Sequence, residues 1–345
     1  MEKKKILQIL TIPIFLALIT IGLFAFGVFP IDHSQGEFVV LGQYEGNGEC
    51  RKVEVFGDVA YILDKTPQGT GLGLSLIDVS DPSNPMHLGS YFESGIIYDF
   101  EIVDNLAYCA NMQNGLEILN ISDYNNIHRI SHYRSGTPIF SVEVVNRIAY
   151  IGAGTLGVEI LNITNAAAPI RLSSISVDNK ATQVKIDDQV CYVIDHGNSF
   201  SNIESYNVSN SKTPVKMGEY IIQGVDFFNL QIRDNYLITT DHGEADVGAL
   251  YILNIEDPTE ITEISSFQSN ETPFGVSIGE SIVYTTEYET GLVAVDISNP
   301  NSPKELGRTH EGGEAFDVCY TEGYIYFADG INGLNIMQFN IEDES

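Results

Sequence analysis

The pattern of hydrophobic and polar positions divides the chain into two parts. Residues 6–29 form an almost unbroken apolar run, interrupted by Gln8 and two threonines. From Gly36 onward, apolar residues come in short runs with a period of two, as in Val53–Asp64. Alternation of this kind predicts β-strands, and no segment after Gly36 has the period of an amphipathic helix. The sequence therefore predicts an all-β domain behind one apolar segment.

One segment returns along the strand-rich part at nearly constant spacing. Its copies are LSLIDVSDPSNP (Leu74–Pro85), LEILNISDYNNI (Leu116–Ile127), VEILNITNAAAP (Val158–Pro169), IESYNVSNSKTP (Ile203–Pro214), LYILNIEDPTEI (Leu250–Ile261), LVAVDISNPNSP (Leu292–Pro303) and the degenerate LNIMQFNIED (Leu334–Asp343). The polar residue that ends each strand, from Asp78 to Gln338, recurs in steps of 42, 42, 45, 47, 42 and 42 residues. Such a period predicts a repeat protein.

Each unit contains four strand-like runs. Near the end of the chain these are Lys304–His310, Ala315–Thr321, Tyr324–Asp329 and Leu334–Phe339, separated by Gly, Asn, Asp and Pro. Four antiparallel strands of this size are typical of one propeller blade, and strands apolar on both faces fit blades that are covered on both sides. Seven units predict a seven-bladed β-propeller over residues 38–345.

The two ends of the repeat region predict how the ring closes. The region begins with an isolated outer-strand motif, FVVLGQY (Phe38–Tyr44), which matches HLGSY (His87–Tyr91), and it ends without one. Seven complete blades result if Phe38–Tyr44 pairs with Leu334–Phe339. This pairing would remove the open edge of the last blade.

The apolar run predicts a transmembrane anchor over residues 1–31, joined to the propeller by a short linker, 32–37. As a helix, Ile6–Phe29 would be about 36 Å long, enough to cross a bilayer. Lys3, Lys4 and Lys5 precede it and should stay in the cytoplasm, which places the propeller outside the cell membrane. The alternative is a signal peptide that is cleaved to release a secreted protein. With an anchor, the DPSNP-type turns would face the membrane.

Charge and cysteine content argue against nucleic-acid binding and against cysteine-based metal or redox sites. The formal net charge is -30, so the surface would repel a nucleic-acid backbone. The four cysteines occur singly, without the paired spacing of a zinc knuckle or a thioredoxin-type site. We expect most of them to be small buried strand residues, with one disulfide as an alternative.

The LSLIDVSDPSNP and HLGSY segments, joined by the Val53–Asp64 pattern, resemble the LVIVD repeat. The resemblance covers residues 38–345 and implies a cell-surface propeller of bacteria or archaea. It carries over no catalytic residue, because the matching positions are structural.

Candidate ligand or metal residues end the second strands, on the face that would point away from the membrane. They are Asp64, Asp195, His196, Asp241, His242, Glu287 and Asp329. Two Asp-His-Gly copies begin at Asp195 and Asp241, and Glu244 and Asp246 follow the second copy. Ca²⁺ or another divalent cation is one interpretation of these oxygen-rich clusters. Turn capping by the Asp side chains, with each His in a solvated loop, is the better interpretation, and we predict no cofactor.

Other motifs carry little chemistry. Gly275-Val-Ser277-Ile-Gly279 fits the G-x-S-x-G pattern of a hydrolase, but it falls within a predicted inner strand instead of a strand-to-helix elbow. Four N-x-S/T sequons are present, of which Asn120, Asn162 and Asn207 share one turn position with Asp78. Asn270, in a predicted outward loop, is the glycosylation candidate.

The sequence thus predicts a membrane-anchored, extracytoplasmic binding or structural module. Its partners would be the lipid bilayer and a cell-envelope protein, peptide or glycan. The alternative is an extracytoplasmic enzyme of hydrolase or lyase type with its site in the propeller funnel. The fold alone does not distinguish a binding module from an enzyme.

Overall fold

A computed structural model describes residues 36–66, 69, 71–92, 95–197, 200–242, 248–309 and 314–341. The predicted anchor, 1–31, lies outside the described residues. Within the described ranges, no helix is long and apolar enough to cross a membrane. The helical content of these ranges is a single 3₁₀ turn, Tyr124–Asn126.

The described residues form seven four-stranded antiparallel sheets, which confirms the predicted seven-bladed propeller. We number the blades by their innermost strands. Blade 1 is β2 (Lys52–Phe56), β3 (Val59–Lys65), β4 (Leu72–Asp78) and β5 (Met86–Tyr91); blade 2 is β6 (Asp99–Val103), β7 (Leu106–Asn111), β8 (Gly115–Asn120) and β9 (His128–Tyr133); blade 3 is β10 (Ser141–Val145), β11 (Ile148–Gly152), β12 (Val158–Asn162) and β13 (Ile170–Ile175); blade 4 is β14 (Ala181–Asp187), β15 (Val190–His196), β16 (Ser201–Asn207) and β17 (Val215–Ile221). Blade 5 is β18 (Phe227–Arg233), β19 (Tyr236–Asp241), β20 (Ala249–Asn254) and β21 (Thr262–Gln268); blade 6 is β22 (Pro273–Ile278), β23 (Ile282–Glu287), β24 (Gly291–Asp296) and β25 (Lys304–Arg308); blade 7 is β26 (Asp317–Thr321), β27 (Tyr324–Ala328), β28 (Leu334–Ile341) and β1 (Gly36–Tyr44).

Strand β1 closes the ring as predicted. It pairs antiparallel with β28, from Gly36 opposite Ile341 to Tyr44 opposite Leu334. The sequence unit therefore crosses the blade boundary, because the Lys304–His310 run supplies the outer strand of blade 6 and β1 supplies that of blade 7. The first and last described strands share one sheet.

The core lies between the blades. Seven clusters of buried apolar residues fill the seven blade-to-blade interfaces; the cluster between blades 7 and 1, for example, joins Ile62 and Ile77 to Leu334 and Ile336. Both faces of the second and third strands are buried, which explains their nearly continuous apolar sequences. The four cysteines are free thiols, and Cys50, Cys109 and Cys191 are buried.

The two ends of the repeat motif meet between neighbouring blades. In the outer strands, one recurrent position holds Gly or Ser and lies against a backbone carbonyl of the next blade's turn. At Gly89 an added Cβ would lie 2.0 Å from the Tyr124 carbonyl oxygen, whereas Ser265 donates from its hydroxyl to the Pro300 carbonyl at 2.5 Å. This contact explains why LGSY-like and DPSNP-like segments recur together.

The marker residue of each third strand forms the following turn. The Asp78 and Asn120 side chains accept hydrogen bonds from the backbone N–H two residues ahead, at 3.0 and 2.9 Å, and Asn162 and Asn207 do the same. These are Asx turns. The prediction that the sequon asparagines at this position are turn-forming is confirmed.

Candidate functional site at the channel mouth

The acidic residues predicted on the outward rim are buried beneath the loops of that face. The exposed fractions of Asp64, Asp195, Asp241, Glu287 and Asp329 are at most 5%. Four of them accept hydrogen bonds from the backbone N–H groups of the loop that enters their blade: Asp64 from Asn47 (2.9 Å), Asp195 from Asn179 (2.9 Å), Asp241 from Asp226 (2.8 Å) and Glu287 from Asn270 (3.1 Å). Asp329 accepts from the Asn332 and Asn335 amides, each at 3.1 Å. These carboxylates fix the loops around the mouth.

Glu287 has a cationic partner as well. Arg308 donates from Nη1 to its carboxylate at 2.9 Å, and Thr290 donates from Oγ1 at 2.7 Å. The exposed Asn270, with its amide oxygen turned toward Arg308, accepts from both guanidinium nitrogens at 3.0 and 2.8 Å. Glycosylation of Asn270 stays a prediction.

The two histidines of the Asp-His-Gly copies have different surroundings. His196 pairs with Asp226 (Nδ1 to Oδ1, 2.8 Å), and this hydrogen bond raises the pKa of His196. Burial instead lowers the pKa of His242 to about 4. The His242 ring stacks on Phe228, with 4.2 Å between ring centroids, and lies 4.6 Å from Phe274. His242 is therefore part of an aromatic cluster.

No metal centre is assembled by these residues in the part of the chain that the structure describes. There, no three His, Cys, Asp or Glu side chains converge to hold an ion. Glu244 and Asp246 lie outside the described residues. Divalent cation binding at the second Asp-His-Gly copy stays a prediction.

Five aromatic side chains surround the entrance of the central channel on the same face. We refer to Tyr98, Phe140, Phe228, Phe274 and Phe316 as the aromatic mouth. Each lies at the start of the innermost strand of its blade, and Arg51 and Thr182 fill the two remaining equivalent positions.

The members of the aromatic mouth touch one another edge to face. Phe274 lies 5.5 Å from Phe228 and 6.1 Å from Phe316, and Tyr98 lies 5.9 Å from Phe140. The Arg51 guanidinium carbon is 4.9 Å from the Phe316 centroid, within the range of a cation–π contact. The rings thus form two packed groups around the opening.

Every second residue of an innermost strand points into the channel, and these positions form two mostly polar layers below the mouth. The upper-layer positions hold Lys52, Asp99, Ser141, Gln183, Asn229, Gly275 and Asp317, and the lower-layer positions hold Glu54, Glu101, Glu143, Lys185, Gln231, Ser277 and Cys319. Most of them line a channel cavity of about 260 Å³. The residues between them, such as Val53 and Phe100, are buried in the core.

Burial and mutual repulsion shift the ionisation of the channel acids. Burial raises the pKa of Glu101 to about 9, with Glu54 and Glu143 adding to the rise, and it raises the pKa of Glu54 to about 7 and that of Asp317 to about 6. Lys185 pairs with Glu143 at 2.9 Å. The channel therefore combines a carboxyl whose neutral form is favoured, Glu101, with an ion pair.

The ring of innermost strands is uneven at one point. Neighbouring strands lie side by side around the channel, but β2 and β6 are farther apart. Lys52 spans this gap and binds Asp99 at 3.0 Å and Glu54 at 3.1 Å. A mouth cavity of about 280 Å³ extends from the aromatic rings into the gap, where Leu63 and Leu72 form its apolar wall.

The hydrolase-like pentapeptide lies in β22, the innermost strand of blade 6, as predicted. The Ser277 hydroxyl accepts a hydrogen bond from the Tyr320 backbone N–H of blade 7 at 2.9 Å. The strand continues into a turn and then into β23, so Ser277 is not placed on a nucleophile elbow.

The LVIVD repeat model matches residues 47–92, 94–133, 275–310 and 312–337, which lie in the first two and the last two units. The units between them form the same four-stranded blades in the same ring. LVIVD repeats are therefore present in this seven-bladed β-propeller. No curated protein matches its sequence.

Solved structures match the fold of this LVIVD-repeat chain. One is the crystal structure of the computationally designed Ika8 protein, with a TM-score of 0.63 and 9% identity, covering 87% of this chain and 99% of that one. At this identity the likeness shows the fold alone.

Reasoning from the sequence missed the aromatic mouth. The repeat is recognised by its third strands, whose marker residues are structural. Alignment on the start of the innermost strands would have placed the five aromatic residues in one column, with Arg51 and Thr182 as the exceptions.

Proposed function

We propose that this LVIVD-repeat propeller is a membrane-anchored, extracytoplasmic binding module. Its aromatic mouth would take a small organic ligand, or a projecting group of a larger envelope molecule. The observation that carries the proposal is the convergence of five aromatic side chains above the mostly polar upper layer of the channel, which forms the floor of the mouth. Concave sites with aromatic walls and a few polar groups are typical of ligand pockets.

The anchoring part of the proposal is supported by the sequence of residues 6–29 and the three lysines before it. Strand β1 begins at Gly36, beside the end of β28, on the face opposite the aromatic mouth. A short linker from the membrane would therefore leave the mouth accessible from outside.

The binding proposal can be tested with a probe mixture and the full chain in a polyoxyethylene detergent, which has neither sugar nor charge. The mixture contains neutral mono- and disaccharides, tetramethylammonium and benzoate, and saturation-transfer NMR detects the bound probe. We expect at least one probe to bind, and Phe274→Leu to weaken that binding about tenfold or more. Phe56, exposed at the other end of an innermost strand, provides the matched control Phe56→Ala.

The proposal is wrong if no probe binds, or if Phe274→Leu and Phe56→Ala bind every probe as the wild type does. Thermal unfolding of each variant checks that it is folded.

Hydrolysis is a second candidate function, favoured by one observation. Glu101 and Asp317, with raised pKa values, lie below the mouth together with Glu143, which is held by Lys185. Carboxyls in unlike surroundings can serve as acid and base. Cleavage of a bound probe, followed by chromatography and lost in Glu101→Gln, would support this candidate.

A further inference from the structure

The mouth has two adjoining cavities whose linings share Tyr98, Gln183 and Phe228. Their volumes are about 280 and 290 Å³, close to the lower end of the range of roughly 300 to 1,000 Å³ that is usual for small-molecule sites. One or two sugar-sized rings would fill them.

Charge in these cavities is balanced, although the chain as a whole carries -30. Among the described lining residues, the Lys and Arg side chains are Arg51, Lys52 and Lys180, and the carboxylates are Asp99, Asp226 and Asp317. Three Lys or Arg side chains face three carboxylates, one of which, Asp226, is also paired with His196. A ligand with a strong net charge would find no excess of opposite charge here.

The floor offers hydrogen-bonding groups that the fold does not use. The Gln183 and Asn229 side chains line the mouth cavity from neighbouring blades, and neither amide has a hydrogen bond among the described residues. Each amide can donate and accept. Hydroxyl groups, which also donate and accept, are the natural partners of such a pair.

The walls are apolar and aromatic. Tyr98, which is 40% exposed, and the half-buried Phe228, Phe274 and Phe316 present ring carbon to the cavity. Aromatic rings bury the C–H surface of a ligand, while their edges and faces restrict its orientation. A ligand suited to this site has an apolar face, hydroxyl edges and no net charge.

We propose that the aromatic mouth binds a neutral saccharide ring, held by Gln183 and Asn229 and packed against Phe228, Phe274 and Phe316. The inference rests on the proposed binding function and names its ligand class. The ring could belong to a free sugar or to the end of an envelope polysaccharide, since both offer the same chemistry.

The test uses titrations of the full chain in the polyoxyethylene detergent. The probes are neutral mono- and disaccharides, a neutral polysaccharide, tetramethylammonium and benzoate. We expect a saccharide to bind, and Gln183→Ala and Asn229→Ala each to weaken it about three- to tenfold, as for the loss of one hydrogen bond. The control is Gln189→Ala, an exposed amide in the turn after β14.

The outcomes separate the two proposals. If tetramethylammonium or benzoate binds in a manner that depends on Phe274 and no saccharide does, the saccharide inference is overturned and the binding function stands. If no probe binds, both are overturned. Binding of the polysaccharide but not of free sugars would identify the ligand as an envelope polysaccharide. Binding of a free sugar but not of the polysaccharide would identify it as a free sugar. Phe274→Leu, which keeps an apolar side chain, guards against loss of folding.

Discussion

At the scale of single residues, the buried carboxylates show how a recurring acid serves the fold. Asp195 accepts from the backbone N–H of Asn179 at 2.9 Å and from its side-chain amide at 3.0 Å. A buried donor that loses its acceptor costs free energy, so the acid holds the loop that enters blade 4. The loop in turn borders the site.

We predict that Asp195→Ala lowers the free energy of unfolding by about 1 to 3 kcal/mol, because the Asn179 N–H loses its acceptor. Urea denaturation measures the change. Asp187→Ala, at the exposed end of β14, is the control and should have little effect. A variant that loses ligand binding while keeping full stability would instead make Asp195 a ligand residue.

The orientation of the aromatic-mouth side chains could not be predicted from the sequence of each strand. Phe228 and Phe274 lie in strands rich in apolar residues, where a core position is the simplest interpretation. Both occupy β-bulges, which turn their side chains toward the channel. A bulge has no clear sequence signature here, so the orientation could be found only in three dimensions.

At the scale of elements, the decisive strand is β1. It pairs with β28 along its length, and Phe38 packs 4.7 Å from Phe339 and 6.3 Å from Tyr284 of blade 6. The strand therefore joins blade 7 to blade 6 as well as completing a sheet. Without it, β28 would be an open edge.

We predict that internal deletion of residues 36–44 from the full chain lowers the melting temperature by roughly 10 °C or more, as expected for a loss of several kcal/mol. Differential scanning calorimetry measures the shift. A peptide of sequence GEFVVLGQY should restore the melting temperature, and a scrambled peptide should not. An unchanged melting temperature would show that the ends do not depend on each other.

The elements were the most predictable part of the structure. The constant spacing of the marker residues and the period of two gave seven blades, and the isolated FVVLGQY segment gave the closure. What the sequence could not show was the separation of β2 and β6, where Lys52 lies. Lys52 stands where Asp99 and Asp317 stand in other blades, and those acids accept from the next blade's backbone at 2.9 and 3.1 Å.

At the scale of the whole molecule, the distribution of charge is the notable property. The chain carries -30, yet the mouth is balanced and the channel combines two lysines with five acids, among which burial raises the pKa of Glu101. A strongly negative exterior keeps such a protein soluble and apart from other acidic surfaces. It does not dictate what enters the mouth.

We predict that a C-terminal epitope on the full chain is detected by antibody on intact, non-permeabilised cells, because the three lysines before the proposed anchor would retain the N-terminus inside. An N-terminal epitope on the same chain is the control and should require permeabilisation. Detection of the C-terminal epitope in the medium would favour the secreted alternative. Detection of the C-terminal epitope solely after permeabilisation would contradict both the anchored and the secreted alternative.

The pairing of β1 with β28 also sets the order in which the molecule can be completed. Strand β1 is synthesised before the other three strands of blade 7, so it must wait until blades 1 to 6 have been made. A nonsense mutation shortly before Leu334 would remove β28 and therefore leave both β27 and β1 without their common partner strand. Quality-control proteases could recognise such an unfinished ring as easily as a wholly unfolded chain.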